Sequence, residues 1–96
     1  MIHEIAYIAI DPAQAEAFEA AVAAARPHFE AAAGFVSFRL ERVIEEPAHY
    51  RLVVGWISVE AHMTDFRASD GFQKWRALAS PFFAEPPRVE HVIQII

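Results

Sequence analysis

Only two regions of this 96-residue chain read as helical, yet three of its four predicted strands carry apolar side chains on both faces. No other feature constrains the fold as much. Two helices cover one face of a sheet, so the second face needs a different cover.

The strands and helices follow from periodicity and punctuation. Residues 2–10 alternate Ile2, Glu4, Ala6 and Ile8 against His3, Ile5, Tyr7 and Ala9, a strand apolar on most of both faces. Asp11 is placed to cap a helix, with Pro12 at its first position and Gln14 at the reciprocal capping position. The alanine-rich run behind them carries a stripe of Phe18, Val22, Ala25 and Phe29, spaced for one helical face. Pro27 is expected to kink or restart the last turns, and Gly34 to end the helix as a left-handed cap.

Residues 35–44 and 49–58 form the next two predicted strands, joined around Glu46 and Pro47 as an antiparallel hairpin. In the second of them Tyr50, Leu52, Val54 and Trp56 share a face. Ser58 is placed to cap a short helix over 60–68, and Asp70 a further one, with Gln73 at its capping-box position. Pro86 and Pro87 force an extended break before a last strand over 88–96.

The resulting order is β-α-β-β-α-β with its second helix in two pieces. It predicts a single α+β domain over 1–96, a ferredoxin-like antiparallel sheet with the helices on one face. An uncovered apolar face on the order of several hundred Å² is rare on a monomer. A second copy of the chain is therefore the expected cover, making a homodimer.

Bulk properties exclude several classes of partner. The net charge is −5, with Lys and Arg scattered and outnumbered, so neither nucleic acid nor an anionic membrane surface is an expected partner. No cysteine is present, which removes disulfides and thiolate chemistry. The first residues lack the basic and small-residue marks of a secretory signal, and no apolar run reaches membrane-spanning length. A cytoplasmic, soluble protein is the expectation. The three glycines are isolated, so no glycine-rich loop cradles a nucleotide or flavin phosphate.

Three segments then carry a resemblance. Residues 56–69, WISVEAHMTDFRAS, residues 34–40, GFVSFRL, and residues 86–92, PPRVEHV, resemble the antibiotic biosynthesis monooxygenase family. The resemblance covers essentially the whole chain and implies a dimeric α/β barrel. Similar proteins include cofactor-free monooxygenases acting on quinol-like or polyketide aromatics, haem-degrading enzymes and a sugar-phosphate isomerase. The haem-degrading branch uses an Asn, a Trp and a His. This chain has no Asn, and Phe66 and Trp75 stand near the places of that Trp and His, so the resemblance points away from haem.

What remains implied is a cofactor-independent oxidation of a small planar aromatic, in which the substrate supplies the electrons and the protein removes a proton. His62 is the candidate base, because a neutral imidazole takes protons near neutral pH. Asp65, three residues on, is expected on the same helical face, orienting the ring. Phe66, Phe72, Trp75 and His91 are candidate walls of a substrate pocket, and Arg67 a fork for an anionic group. Each has a packing alternative: aromatics at helical spacing are usually core. His62 and Asp65 alone do not make a metal site, since no third or fourth donor is placed by spacing to join them. Two other readings stay open, a non-catalytic dimeric module for a hydrophobic ligand and an isomerase of the same fold.

Overall fold

The alternation of the first residues does become a strand, and it sits centrally in the sheet. In the computed structural model, which describes residues 1–96, β1 spans Ile2–Ala9, α1 Ala15–Glu30, β2 Phe35–Arg42, β3 His49–Trp56, α2 Asp70–Ala79 and β4 Arg88–Val92. The sheet order is β2-β3-β1-β4, with every neighbouring pair antiparallel. This is the α+β ferredoxin-like arrangement expected from the element order. No helix is long and apolar enough to cross a membrane.

The core lies between the helices and one sheet face. Phe18, Val22, Ala25 and Phe29 of α1 are all buried, as the stripe required. They meet Tyr50, Leu52, Val54 and Trp56 of β3 and Trp75 and Ala79 of α2. Phe29 is the hub, with ring centroids 4.9 Å from Phe38, 4.7 Å from Phe66 and 5.3 Å from Trp75. Each such ring, fully buried, contributes roughly 1.5–3 kcal/mol.

Several boundaries differ from the expectation. Pro27 sits inside α1 without ending it. Its place near the C-terminus lets the last turns form around a single missing donor. Gly34 has a positive φ of 83°, but it lies beyond the helix end at Glu30, in the turn that leads into β2. Asp70 is the first residue of α2, and Ser69 is its cap, accepting from the Phe72 amide. The last strand stops at Val92. Its final pair is His3 with Val92, and continuing that register leaves only Ile2 and Met1 on β1 as partners.

The segment after β3 is the most informative departure. Residues Ala61–Phe66 wind as a π-helical turn, closed by the Arg67 amide on the His62 carbonyl at 3.1 Å. Ser58 starts it as predicted, its hydroxyl accepting from the Ala61 amide at 3.1 Å.

The second sheet face is not the bare apolar surface its alternation suggested. Ile5 and Val53 sit at its centre and are only 4% and 1% exposed within one chain. Polar side chains share that face. Arg39 and Arg51 pair with Glu41, and Arg88 with Glu90, which also accepts from the Tyr7 hydroxyl at 2.7 Å. The Arg88 guanidinium lies 4.1 Å from the Tyr7 ring centroid. Exposed apolar side chains include Val92, Ile93, Ile95 and Ile96 at the C-terminal end and Met1, Val36, Ile44 and Ile57 elsewhere.

Candidate active site

One cavity of about 550 Å³ opens beside the helix-facing side of β1 and β4. Its floor is Glu4, Ala6 and Ile8 of β1 with Val89 of β4. Phe72, Trp75 and Arg76 of α2 line it together with Phe83, whose ring centroid lies 6.4 Å from that of Trp75, and with residues 84–87. His62 and Arg67 enter from the π-helical turn. The lining is mostly apolar or aromatic, with a few ionisable groups, the usual make-up of a small-molecule site.

Those ionisable groups form a chain. Glu4 Oε1 accepts from the Trp56 indole Nε1 at 3.0 Å, and the same oxygen lies 3.2 Å from His62 Nε2. The other imidazole nitrogen, His62 Nδ1, is 2.8 Å from His91 Nε2. The His62 ring also stacks on Trp56, with centroids 5.6 Å apart and planes 17° from parallel. Glu4 and His62 are the two polar residues buried in this structure, at 5% and 3% exposure.

Sheet register brings this chain together. Glu4 pairs with His91 on one side and Val54 on the other, so Glu4 and His91 project from the face that meets the helices. The π-turn then lowers His62 onto them. Gly34 makes room for that turn. A Cβ there would stand 2.7 Å from the Ala61 Cβ, and the Gly34 carbonyl accepts from the Ile57 amide at 2.9 Å.

Burial dominates the electrostatics. It pushes the Glu4 carboxyl up to about 7, against the opposing pull of the Trp56 hydrogen bond and the Arg67 charge. It pulls His62 down to about 4, helped by the charges of His91 and Arg67. At neutral pH His62 is thus a neutral imidazole, while Glu4 stands close to its own titration midpoint.

The site residues expected from the sequence fall into three groups. His62, Arg67, Phe72 and Trp75 line the cavity. His91 touches it only through His62. Asp65 and Phe66 do not line it. Asp65 is exposed, because the wider i→i+5 winding carries residue i+3 away from residue i. Phe66 is buried beneath the site, against Phe29 and Trp56.

Spacing along the chain offered only Asp65 as a second donor beside His62, whereas the sheet supplies Glu4 and His91. His62 Nδ1 and His91 Nε2 face one another in hydrogen-bonding contact, and no three His or carboxylate side chains are arranged around a common ion position. Glu4 is the residue that sequence reasoning passed over. Its signal was a carboxylate in the helix-facing half of an otherwise apolar alternation.

Comparison with known proteins gives one consistent result. The family model described as antibiotic biosynthesis monooxygenase matches residues 1–78. A crystal structure from Bordetella bronchiseptica, provisionally assigned as an antibiotic biosynthesis monooxygenase, is 48% identical. It superposes with a TM-score of 0.96 over 99% of this chain and 97% of that one. An uncharacterised Bacillus subtilis protein, YczJ, is 34% identical over 95% of this chain and 96% of its own length. A Caulobacter crescentus structure with the same provisional assignment shares the fold at 22% identity and a TM-score of 0.84, over 99% of this chain and 90% of that one.

Proposed function

The chain belongs to the antibiotic biosynthesis monooxygenase family, and from that premise we propose that it is a homodimeric, cofactor-independent monooxygenase of a small planar aromatic. The substrate class is quinol- or anthrone-like, with a hydroxyl or methylene group acidic enough to be ionised in the cavity. One observation carries this reading. The cavity lined by Phe72, Trp75 and Phe83 has the molecule's only buried carboxylate and imidazole in its wall.

The chemistry asks little of the protein beyond proton removal. A methylene between aromatic rings loses a proton and becomes an electron-rich anion. That anion reduces dioxygen directly, and the methylene plus O2 ends as a carbonyl plus water. Arg67 and Arg76 at the cavity wall favour the anion, each as a positive fork. Trp75 and Phe83 shield it from bulk water. The proton goes to the cluster with His62 at its centre.

Oxygen uptake by the purified protein across a panel of anthrones and hydroquinones tests this. Uptake above the protein-free rate, with carbonyl product matching oxygen consumed, is expected for at least one member. Binding of the panel without uptake by any member would replace this reading with a non-catalytic module for aromatic ligands.

A further inference from the structure

The cluster at the cavity wall contains two groups able to take a proton, and their geometry distinguishes them. Both nitrogens of His62 are engaged, Nε2 facing Glu4 Oε1 at 3.2 Å and Nδ1 facing His91 Nε2 at 2.8 Å. The ring face is stacked on Trp56. No lone pair of His62 is left to meet a ligand. Glu4 is arranged the other way. Its two neighbours, Trp56 Nε1 and His62 Nε2, both sit on Oε1. Its second oxygen carries no protein hydrogen bond and is not among the buried atoms that lack a partner, and the residue lines the cavity. Burying a carboxylate on a sheet face that would otherwise be apolar costs several kcal/mol. A purely structural hydrogen-bond acceptor for Trp56 would not need the charge.

We propose that Glu4 is the residue that takes the ligand's proton, with His62 as the positioning residue behind it and His91 holding the His62 tautomer. The proposal rests on the reading that the cavity binds an acidic aromatic. In the first step a C–H or O–H bond of the ligand breaks and its electron pair stays on the ligand. The proton forms a new O–H bond on the free oxygen of Glu4. With Glu4 ionised, His62 donates its Nε2 proton to Oε1 and accepts at Nδ1 from His91 Nε2, so the imidazole holds the carboxylate and relays no proton itself. The proton then leaves Glu4 for water at the cavity mouth.

The charged and titratable groups facing Glu4 fit a base that works near neutral pH. His62 and Arg67 come from the π-turn, His91 from β4, Arg76 from α2, and Glu85 from the cavity lining. Burial holds the Glu4 carboxyl at about 7, where an acceptor is most effective at physiological pH. His62, held down to about 4, is the weaker base of the two.

The test is exchange rather than turnover, so that it stands apart from the oxygen chemistry. Under anaerobic conditions in D2O, loss of the methylene proton signal of 1,8-dihydroxyanthrone is followed by NMR. The wild-type protein is expected to speed exchange over the protein-free rate, and to do so increasingly as pH rises through about 7. Glu4→Gln keeps an acceptor for Trp56 and is expected to lose the acceleration by about 100-fold or more, together with its pH dependence. Glu4→Asp, which keeps the carboxylate one methylene back, is expected to restore part of both.

Probe binding by tryptophan quenching and far-UV circular dichroism show that each variant is folded and occupied. Undiminished acceleration in Glu4→Gln overturns the proposal, as does a wild-type protein that gives none. So does a result in which His62→Gln abolishes exchange and Glu4→Gln does not. Exchange that depends on Glu4 but is not followed by oxygen uptake upholds Glu4 and rejects the monooxygenase reading.

Discussion

Glu4 and His62 pull the pH dependence of stability in opposite directions. The folded Glu4 carboxyl sits at about 7, above its ordinary 4.5. Its contribution to stability is therefore fully present below pH 4.5 and is lost as pH rises through about 7. The folded His62 sits at about 4, below its ordinary 6.5. Its contribution is present above pH 6.5 and is lost as pH falls through about 4. Between 4.5 and 6.5 the two slopes oppose, and the wild-type protein is expected to be flatter than either single variant. Urea unfolding at several pH values measures this. Glu4→Gln is expected to lose stability as pH falls across that window, and His62→Gln to lose it as pH rises. Parallel profiles for all three proteins would mean that the two groups are not shifted in the folded state.

At the scale of elements, the site depends on how the π-turn is seated. Gly34 is its support, with a left-handed backbone and no room for a Cβ against Ala61. Gly34→Ala is expected to cost on the order of 1–3 kcal/mol in chemical denaturation, from the backbone conformation alone. A variant as stable as the parent would show that the turn does not rest on this contact. The strands and α1 were readable in the chain because alternation and a helical stripe are local patterns, as Phe18, Val22, Ala25 and Phe29 show. The π-turn was not readable. Residues 61–66 satisfy an α-helical pattern equally well, and the extra residue per turn comes from burying Ala61, His62 and Phe66 together. Glu4 and His91 meet through strand register across 87 residues of chain, which no spacing rule along the sequence reaches. Asp65 was misplaced for the same reason: its predicted face assumed α-helical winding.

For the whole molecule, the proposed homodimer concerns the second sheet face and the tail. A composition that is 55% hydrophobic exceeds what one small core absorbs. Within one chain, Ile5 and Val53 are already buried on a face that carries arginine–glutamate pairs, and the exposed apolar side chains include Val92 and the last residues as well as Met1, Val36, Ile44 and Ile57. A second copy covering that surface leaves the ion pairs at a rim, where they set orientation more than affinity. Light scattering at micromolar concentration is expected to return twice the 10.8 kDa chain mass. A monomer mass would leave the apolar tail without its cover and reject the homodimer.

In the proposed reaction the cavity removes a proton from an aromatic, which then reacts with oxygen unaided. Oxygen uptake with 1,8-dihydroxyanthrone, measured against pH on protein dialysed with chelator and free of flavin, tests it most directly. Uptake above the protein-free rate is expected, rising through about pH 7 as Glu4 ionises. Uptake that appears only when a metal or flavin is added back, or that shows no such limb, would contradict it.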